Sequence, residues 1–295
     1  MKWTNNFNLP LPLVSAIQGY FHGYSKAGRI SVTGLILPPR IRVLQDRHDA
    51  EITVDASEFL YALQGLSIHA ILEKADTTNH LSEEQMTIEV LGWKVSGRPD
   101  LLSPEMVLDD YKVTSVYAFL LGEKEEWTQQ LNLYDLLYRK HGFEARKLRI
   151  TGILRDWVKR RAMTEKEYPG AGVVVREVPH WSADEQEVLL ERLVKSHQEA
   201  EKLADDDLPL CTPEERWQKP DTWAAIKKGN KRAARVLDTE NAADLWVKQQ
   251  DDPAKFEIVE RPGESVRCRY YCKVAQFCSF GKTLVATEDE AEQAS

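Results

Sequence analysis

The chain has 295 residues, with 39 Lys+Arg against 47 Asp+Glu for a formal net charge of −8, and it is 42% apolar and 29% charged. Those proportions suit a soluble globular chain long enough to bury a sizeable core, and no apolar run approaches the roughly 20 residues that span a bilayer. The acidic total excludes a protein that coats nucleic acid by bulk charge, while leaving room for a local basic surface.

In chain order, Met1 to Ile17 shows no basic start followed by an apolar segment, so no secretory signal is expected. A reducing, cytoplasmic setting follows, in which the four cysteines form no disulfide framework. Leu9-Pro10-Leu11-Pro12 and Pro38-Pro39-Arg40 predict loops. From Ala56 to Lys74, Phe59, Leu60, Leu63, Leu66, Ile68, Ile71 and Leu72 recur at helical spacing and predict a helix. Thr87–Val95, Gly97–Leu102 and Met106–Thr114 predict three short strands in an antiparallel meander. Trp127–Lys140 reads as an amphipathic helix closed by His141-Gly142. Two strands follow, Leu148–Trp157 and Gly172–Val178, then a helix over Ser182–Asp205 capped by Ser182, with Asp184 and Glu185 in its first turn. Beyond Asp205-Asp206-Asp207 the spacing predicts a basic helix from Thr222 to about Val236, then a cysteine-containing region. The domain reading is a core over residues 1–180, a helical and cysteine-containing region over 181–282, and a disordered acidic tail over 283–295.

The most informative stretch is Gly97-Arg98-Pro99-Asp100 followed by Asp110-Tyr111-Lys112. A strand puts Asp110 and Lys112 on one face, and Asp100 on a neighbouring strand would bring two carboxylates and an ammonium together. Oxygen ligands of this kind suit Mg²⁺, which takes one or two protein carboxylates and keeps waters for a phosphate substrate. Taken alone, an acid-x-base triplet is common in so charged a chain, and a solvated strand face is its ordinary reading. By the same token, His69 between Ile68 and Ile71 reads as a core histidine. Gln130 and Tyr134, one helical turn apart, read as a buried tyrosine beside an amide.

Taken together and in order, these residues resemble the PD-(D/E)XK nuclease superfamily, and within it the RecB-like branch of CRISPR-associated and phage-type exonucleases. The signature is Pro99-Asp100 … Asp110-Tyr111-Lys112, with Gly65 … His69 as the helical His motif and Gln130 … Tyr134 as the Gln-x-x-x-Tyr motif. Ser31 to Ile36 with Pro38-Pro39-Arg40 is similar to the opening segment of these enzymes, and the resemblance runs from about Ser31 to Val178. It implies an α/β restriction-endonuclease-like core, a central mixed sheet flanked by helices. It implies that His69, Asp100 and Asp110, with the Tyr111 carbonyl, bind Mg²⁺ or Mn²⁺. Lys112 is then the catalytic lysine, with Gln130 and Tyr134 positioning substrate.

All four cysteines lie in the last third: Cys211, Cys268, Cys272 and Cys278. Four thiolates suffice for Zn²⁺ or an iron–sulfur cluster. Three clustered ligands plus a remote one resemble the [4Fe–4S] arrangement of the same nuclease branch, although there the remote cysteine usually precedes the nuclease motifs; Zn²⁺ is the second choice.

The basic residues are concentrated. Seven of them and one acid lie between Arg146 and Arg161, among them Arg155, Lys159 and Arg160. On the predicted helix, Lys227, Lys231 and Arg235 are spaced by four and would track a phosphate backbone, while the ordinary alternative is a solvated helix face. Trp157, Trp217 and Trp223 lie near these clusters, where they either stack on unpaired bases or belong to the core. The expected function is metal-dependent DNA cleavage, exonucleolytic, in phage DNA processing, recombination or repair, with DNA and a recombination or single-strand annealing protein as partners and no membrane. A catalytically inactive DNA-binding subunit and a site-specific endonuclease are the alternatives.

Overall fold

The computed structural model describes residues 1–20, 28–75, 80–82, 84–122 and 124–284. The acidic tail from Thr287 onward lies outside the described residues. Two units result, Met1–Leu203 and Ala204–Ser295.

The first unit opens with β1 (Lys2–Thr4), α1 (Leu11–Tyr20), β2 (Arg29–Ser31), α2 (Val32–Ile36), α3 (Pro39–His48) and β3 (Thr53–Asp55). The prolines expected to make loops instead start helices. Pro12 is the second residue of α1 and Pro39 the first of α3, positions where a missing N–H costs nothing. Ser31 caps α2, its hydroxyl accepting from Gly34 N at 3.0 Å. A single 3₁₀ turn with buried Phe59 then leads into α4 (Leu60–Leu72).

Two sheets follow. β4 is Leu81–Ser82, β5 Met86–Val90, β6 Trp93–Gly97, β7 Leu101–Leu102 and β8 Val107–Thr114. The segment expected as one strand, Thr87–Val95, folds back on itself. Leu91 and Gly92 both have positive φ (51° and 79°), the conformation of a two-residue hairpin turn, so β5 and β6 pair antiparallel. β2 joins β6 in parallel, completing a sheet of order β2-β6-β5. After β8 come α5 (Tyr117–Leu120), α6 (Glu125–Lys140), β9 (Lys147–Leu154), α7 (Lys159–Thr164), β10 (Val173–Val178) and α8 (Ala183–Ala200). The second sheet has order β10-β9-β8-β7-β4. It is mixed, with β8 and β9 parallel and the other pairs antiparallel. The β8–β9 pair is parallel because α5 and α6 supply the crossover that such a pair requires.

α6 is the central helix. From Leu131 through Tyr138 every residue is buried, where the sequence suggested a one-sided stripe. It packs against β5, β6, β8 and β9, and also against α2 and α8. Its buried Asn132 is satisfied: it donates to the carbonyls of Thr128 and Pro179, both at 2.9 Å, and accepts from Trp181 N at 2.8 Å. α8 begins with the expected Ser182 cap, completed by Glu185 as a capping box. Because α8 packs on α6, α3 and α2, the boundary expected after residue 180 falls after Leu203.

In the second unit, β11 (Thr222–Lys227), β12 (Ala233–Leu237) and β13 (Phe256–Arg261) form an antiparallel sheet of order β12-β11-β13. α9 (Glu240–Lys248) and α10 (Val266–Tyr270) complete it. The basic helix predicted over Thr222–Val236 is therefore a hairpin. Gly229-Asn230 is a turn dipeptide, and Thr222, Trp223 and Ile226 favour a strand. Among the described residues, no helix is long and apolar enough to cross a membrane.

Candidate active site

Asp110 and Lys112 lie on one face of β8, as the alternation requires, and Asp109 and Tyr111 on the other. Asp109 is consumed there by Arg149, its register partner on β9, which binds it with two guanidinium nitrogens, the Nε contact being 2.6 Å, while Thr151 adds a hydroxyl at 3.2 Å. Of the adjacent aspartates, only Asp110 faces the Lys112 side.

Asp100 sits in the gap between β6 and β7. Pro99 has no N–H for a ladder, and this break turns the Asp100 side chain toward β8, where its Oδ2 accepts from Tyr111 N at 2.5 Å. Its other oxygen is 3.2 Å from His69 Nδ1 on α4. His69 also packs edge-on to the Tyr111 ring, with centroids 6.3 Å apart. α4 itself buries no side chain completely. Leu63, Leu66, Ile68 and Leu72 are half-buried, while Leu60, Tyr61 and Ile71 are exposed, so the helix is an apolar arm laid along β8.

Lys112 links the strand to α6. Its Nζ is 2.6 Å from Asp110 Oδ2 and donates to Gln130 Oε1 at 2.8 Å; Gln130 Nε2 donates to the Tyr134 hydroxyl at 2.9 Å. Thr33 on α2 also hydrogen-bonds to Tyr134. The residues sequence reasoning singled out thus form two neighbouring groups, His69–Asp100 and Asp110–Lys112–Gln130–Tyr134, close enough for the Asp100 charge to act on Asp110.

Burial pushes the Asp110 carboxyl up to about 6; Lys112 opposes the rise and the Asp100 charge adds to it. Its Oδ2 is buried without a well-aligned hydrogen bond despite the nearby ammonium. Burial likewise pushes Tyr134 up to about 12, with Asp110 contributing, so the hydroxyl stays protonated as a hydrogen-bonding group.

Two carboxylates, an imidazole and a backbone carbonyl are donors of the right chemistry for a hard divalent cation, and Asp110 Oδ2 has unused acceptor capacity. As they stand, Asp100 is paired with His69 and Asp110 with Lys112. Among the described residues, no three His, Cys, Asp or Glu side chains are grouped to hold an ion.

Sequence reasoning passed over three supports. Gly97 is one: a Cβ there would lie 2.8 Å from the Tyr134 ring and 2.9 Å from Leu137. Gly97→Ala is expected to cost about 1–3 kcal/mol and to displace Tyr134 from Gln130; thermal melting and a cleavage assay check both effects. Asp135, discussed below, is the second. The third is His197, fully buried on α8. Arg42 Nε donates to its Nδ1 at 2.8 Å, its Nε2 is 3.0 Å from the Leu35 carbonyl, and burial lowers its pKa to about 4. No local pattern marks His197, since its partners are over 150 positions away.

The four cysteines all lie in the second unit, and that absence of a ready-made ion-holding group among the described residues includes them. Cys268 lies in α10, Cys272 and Cys278 follow it, and Cys211 is close enough for all three to disfavour its thiolate. Burial, the larger cause, pushes Cys211 up to about 12 and also raises Cys268 and Cys272.

The basic residues fall in both units. Arg155 directly follows β9, with its guanidinium 4.0 Å from the Tyr61 ring centroid, and Lys159 and Arg160 are exposed on α7. Lys227, Lys231 and Arg235 share no helical row. They are exposed at the end of β11, in the turn and on β12 respectively, beside Lys228 and Arg232.

No protein-family model matches the chain, and no curated protein sequence matches it. Among solved structures, it is similar to the crystal structure of SSO0001, at 18% identity and a TM-score of 0.44, over 62% of this chain and 83% of that one. It is also similar to a "putative exonuclease" from Eubacterium rectale, at 14% identity and a TM-score of 0.30, over 62% and 72% of the two chains.

Proposed function

We propose that the chain is a metal-dependent DNA nuclease of the PD-(D/E)XK type, acting from strand ends. The observation that carries this reading is the pair of neighbouring groups His69–Asp100 and Asp110–Lys112–Gln130–Tyr134, assembled from α4, the β6–β7 break, β8 and α6. Asp100, Asp110, His69 and the Tyr111 carbonyl would hold Mg²⁺ or Mn²⁺, which when bound supplies an activated water and charge neutralisation at phosphorus. Lys112, oriented by Asp110 and Gln130, presents its ammonium to the charge that develops on the phosphate as the bond to the leaving oxygen breaks. Tyr134 fixes the Gln130 amide, so that its carbonyl rather than its NH₂ meets the lysine. In-line attack leaves a 5′-phosphate.

The test is end-labelled linear DNA against a covalently closed circle, with Mg²⁺, Mn²⁺ or EDTA. Metal-dependent loss of the linear substrate alone is expected; cleavage of the circle would favour an endonuclease. No cleavage under any condition would favour a non-catalytic DNA-binding subunit, a reading in keeping with the paired donors.

For the thiols we propose a [4Fe–4S] cluster, or Zn²⁺, on Cys211, Cys268, Cys272 and Cys278, acting as a staple within the second unit. The support is the placing of Cys268, Cys272 and Cys278 near Cys211, where burial makes the Cys211, Cys268 and Cys272 thiolates costly without a cation beside them. Anaerobically purified protein is expected to carry a visible absorbance band that a Cys268→Ser, Cys272→Ser variant lacks. Colourless protein containing stoichiometric zinc would assign Zn²⁺ instead, and metal-free protein would remove the proposal.

A further inference from the structure

α4 and β8 run side by side in opposite senses. His69 meets Tyr111 near the middle of β8, whereas Tyr61, two turns earlier on α4, meets Arg155, whose N–H bonds the Thr114 carbonyl at the end of β8. The eight-residue step from Tyr61 to His69 spans about 12 Å of helix. The stretch of β8 from Tyr111 to Thr114 covers roughly 10 Å. The two lengths agree, so one seam leads from the proposed site to the Tyr61–Arg155 pair.

At that end the surface carries a second ring–guanidinium pair. Arg161 on α7 is 5.9 Å from the Tyr117 ring centroid and 4.4 Å from that of Tyr168, and Glu165 holds its guanidinium with two bonds of 2.8 and 2.7 Å. Asp156 ties the start of α5 to this turn by accepting from Val116 N at 2.7 Å. Arg161, already satisfied by Glu165, therefore fixes Tyr117 rather than seeking a phosphate. Tyr61 and Tyr117 nevertheless remain 64% and 52% exposed. Gly65 lies midway on the row Tyr61–Gly65–His69, and a Cβ there would meet nothing within 4 Å, so the path between ring and imidazole is free of side chain. Lys159 and Arg160 border the same end.

We propose that Tyr61 and Tyr117, held by Arg155 and Arg161, form a stacking platform for the unpaired bases of a single DNA strand that enters the site along the α4–β8 seam. The proposal rests on the nuclease reading for what lies at the end of the seam. Exposed rings take any base through its π-face, so the platform selects unpaired DNA without reading sequence.

The test is fluorescence anisotropy of the full chain in EDTA, with a labelled oligothymidine of about 20 nucleotides and an abasic strand of equal length and charge. The wild type is expected to prefer the oligothymidine. Tyr61→Ala with Tyr117→Ala should weaken oligothymidine binding by roughly tenfold or more and leave the abasic strand unaffected, while Tyr61→Phe with Tyr117→Phe retains the preference. Equal wild-type binding of both strands, unchanged oligothymidine binding by the Ala variant, or equal loss in the Phe variant would each overturn the platform. The wild-type comparison needs no variant and so is independent of folding. Because the readout needs no metal, base-dependent binding without cleavage would remove the nuclease reading and leave the platform standing. Cleavage without base preference would do the reverse.

Discussion

Asp110→Asn is expected to abolish cleavage and at the same time to stabilise the metal-free protein at neutral pH. Burial raises the Asp110 carboxyl from its ordinary 3.8 to about 6. A carboxylic acid whose pKa is higher in the folded state favours folding fully below its unfolded pKa and loses that contribution as pH rises through about 6. A rise of about two pKa units corresponds to about 3 kcal/mol forgone at neutral pH. Asparagine mimics the neutral acid at every pH and recovers part of that loss, in which the attraction to Lys112 is already counted, for a gain of about 1–3 kcal/mol. The midpoint should rise by roughly 3–6 °C in a unit of this size. Melting curves in EDTA should separate from wild type between about pH 4 and 6 and coincide below that. A variant less stable than wild type at neutral pH would mean that the Lys112 pair outweighs burial. Retained metal-dependent cleavage would remove Asp110 from the site.

The second large effect lies on the opposite side of α6 from the sheet. Asp135 is completely buried and accepts from His180 at 2.8 Å, Gln186 at 2.9 Å, Arg139 at 3.0 Å and Ala145 N at 3.1 Å. Burial by itself would raise its pKa, but the bonds from Gln186, His180 and Arg139 outweigh it and hold the carboxyl below the usual range. Asp135→Ala leaves four donors facing a cavity, and removal of one partner from such a buried set costs about 3–5 kcal/mol. A fall of roughly 10 °C in the midpoint is expected. In the wild type the sign is opposite to that at Asp110: this contribution is present above the unfolded pKa and is lost as pH falls through the depressed folded one, so the variant should show a shallower acid limb. The consequence for function is indirect. Asp135 anchors α6 at the residue next to Tyr134, so cleavage should weaken in proportion to the unfolded fraction rather than vanish.

The strongest sequence signals were those whose physics is local. The alternation of β8 put Asp110 and Lys112 on one face, the helical spacing put Gln130 and Tyr134 together, and Ser182 with Glu185 announced α8. The errors also have local causes. Lys227, Lys231 and Arg235 fit a helical row as well as they fit a hairpin, and the Gly229-Asn230 turn was the signal that separates the two. Prolines signalled loops where they stand in the first turns of α1 and α3. α6 looked one-sided because Asn132 and Asp135 are polar, and only the distant partners Pro179, Trp181, His180 and Gln186 reveal that both are satisfied inside the core.

The net charge of −8 hid the uneven placement of its acids and bases, which the sequence alone was enough to show. So too were the order of His69, Asp100, Asp110, Lys112, Gln130 and Tyr134 and the existence of most of the elements that carry them, because side-chain period and capping act within a few residues. Tertiary structure decided which aspartate of the Asp109–Asp110 pair faces the lysine, since Arg149 on β9 takes the other. It also decided the burial that raises Asp110, the pairing of His69 with Asp100 across the Pro99 break, and the placing of Arg155 against Tyr61. Each depends on contacts between segments tens of residues apart, where desolvation and pairing are set by packing rather than by spacing.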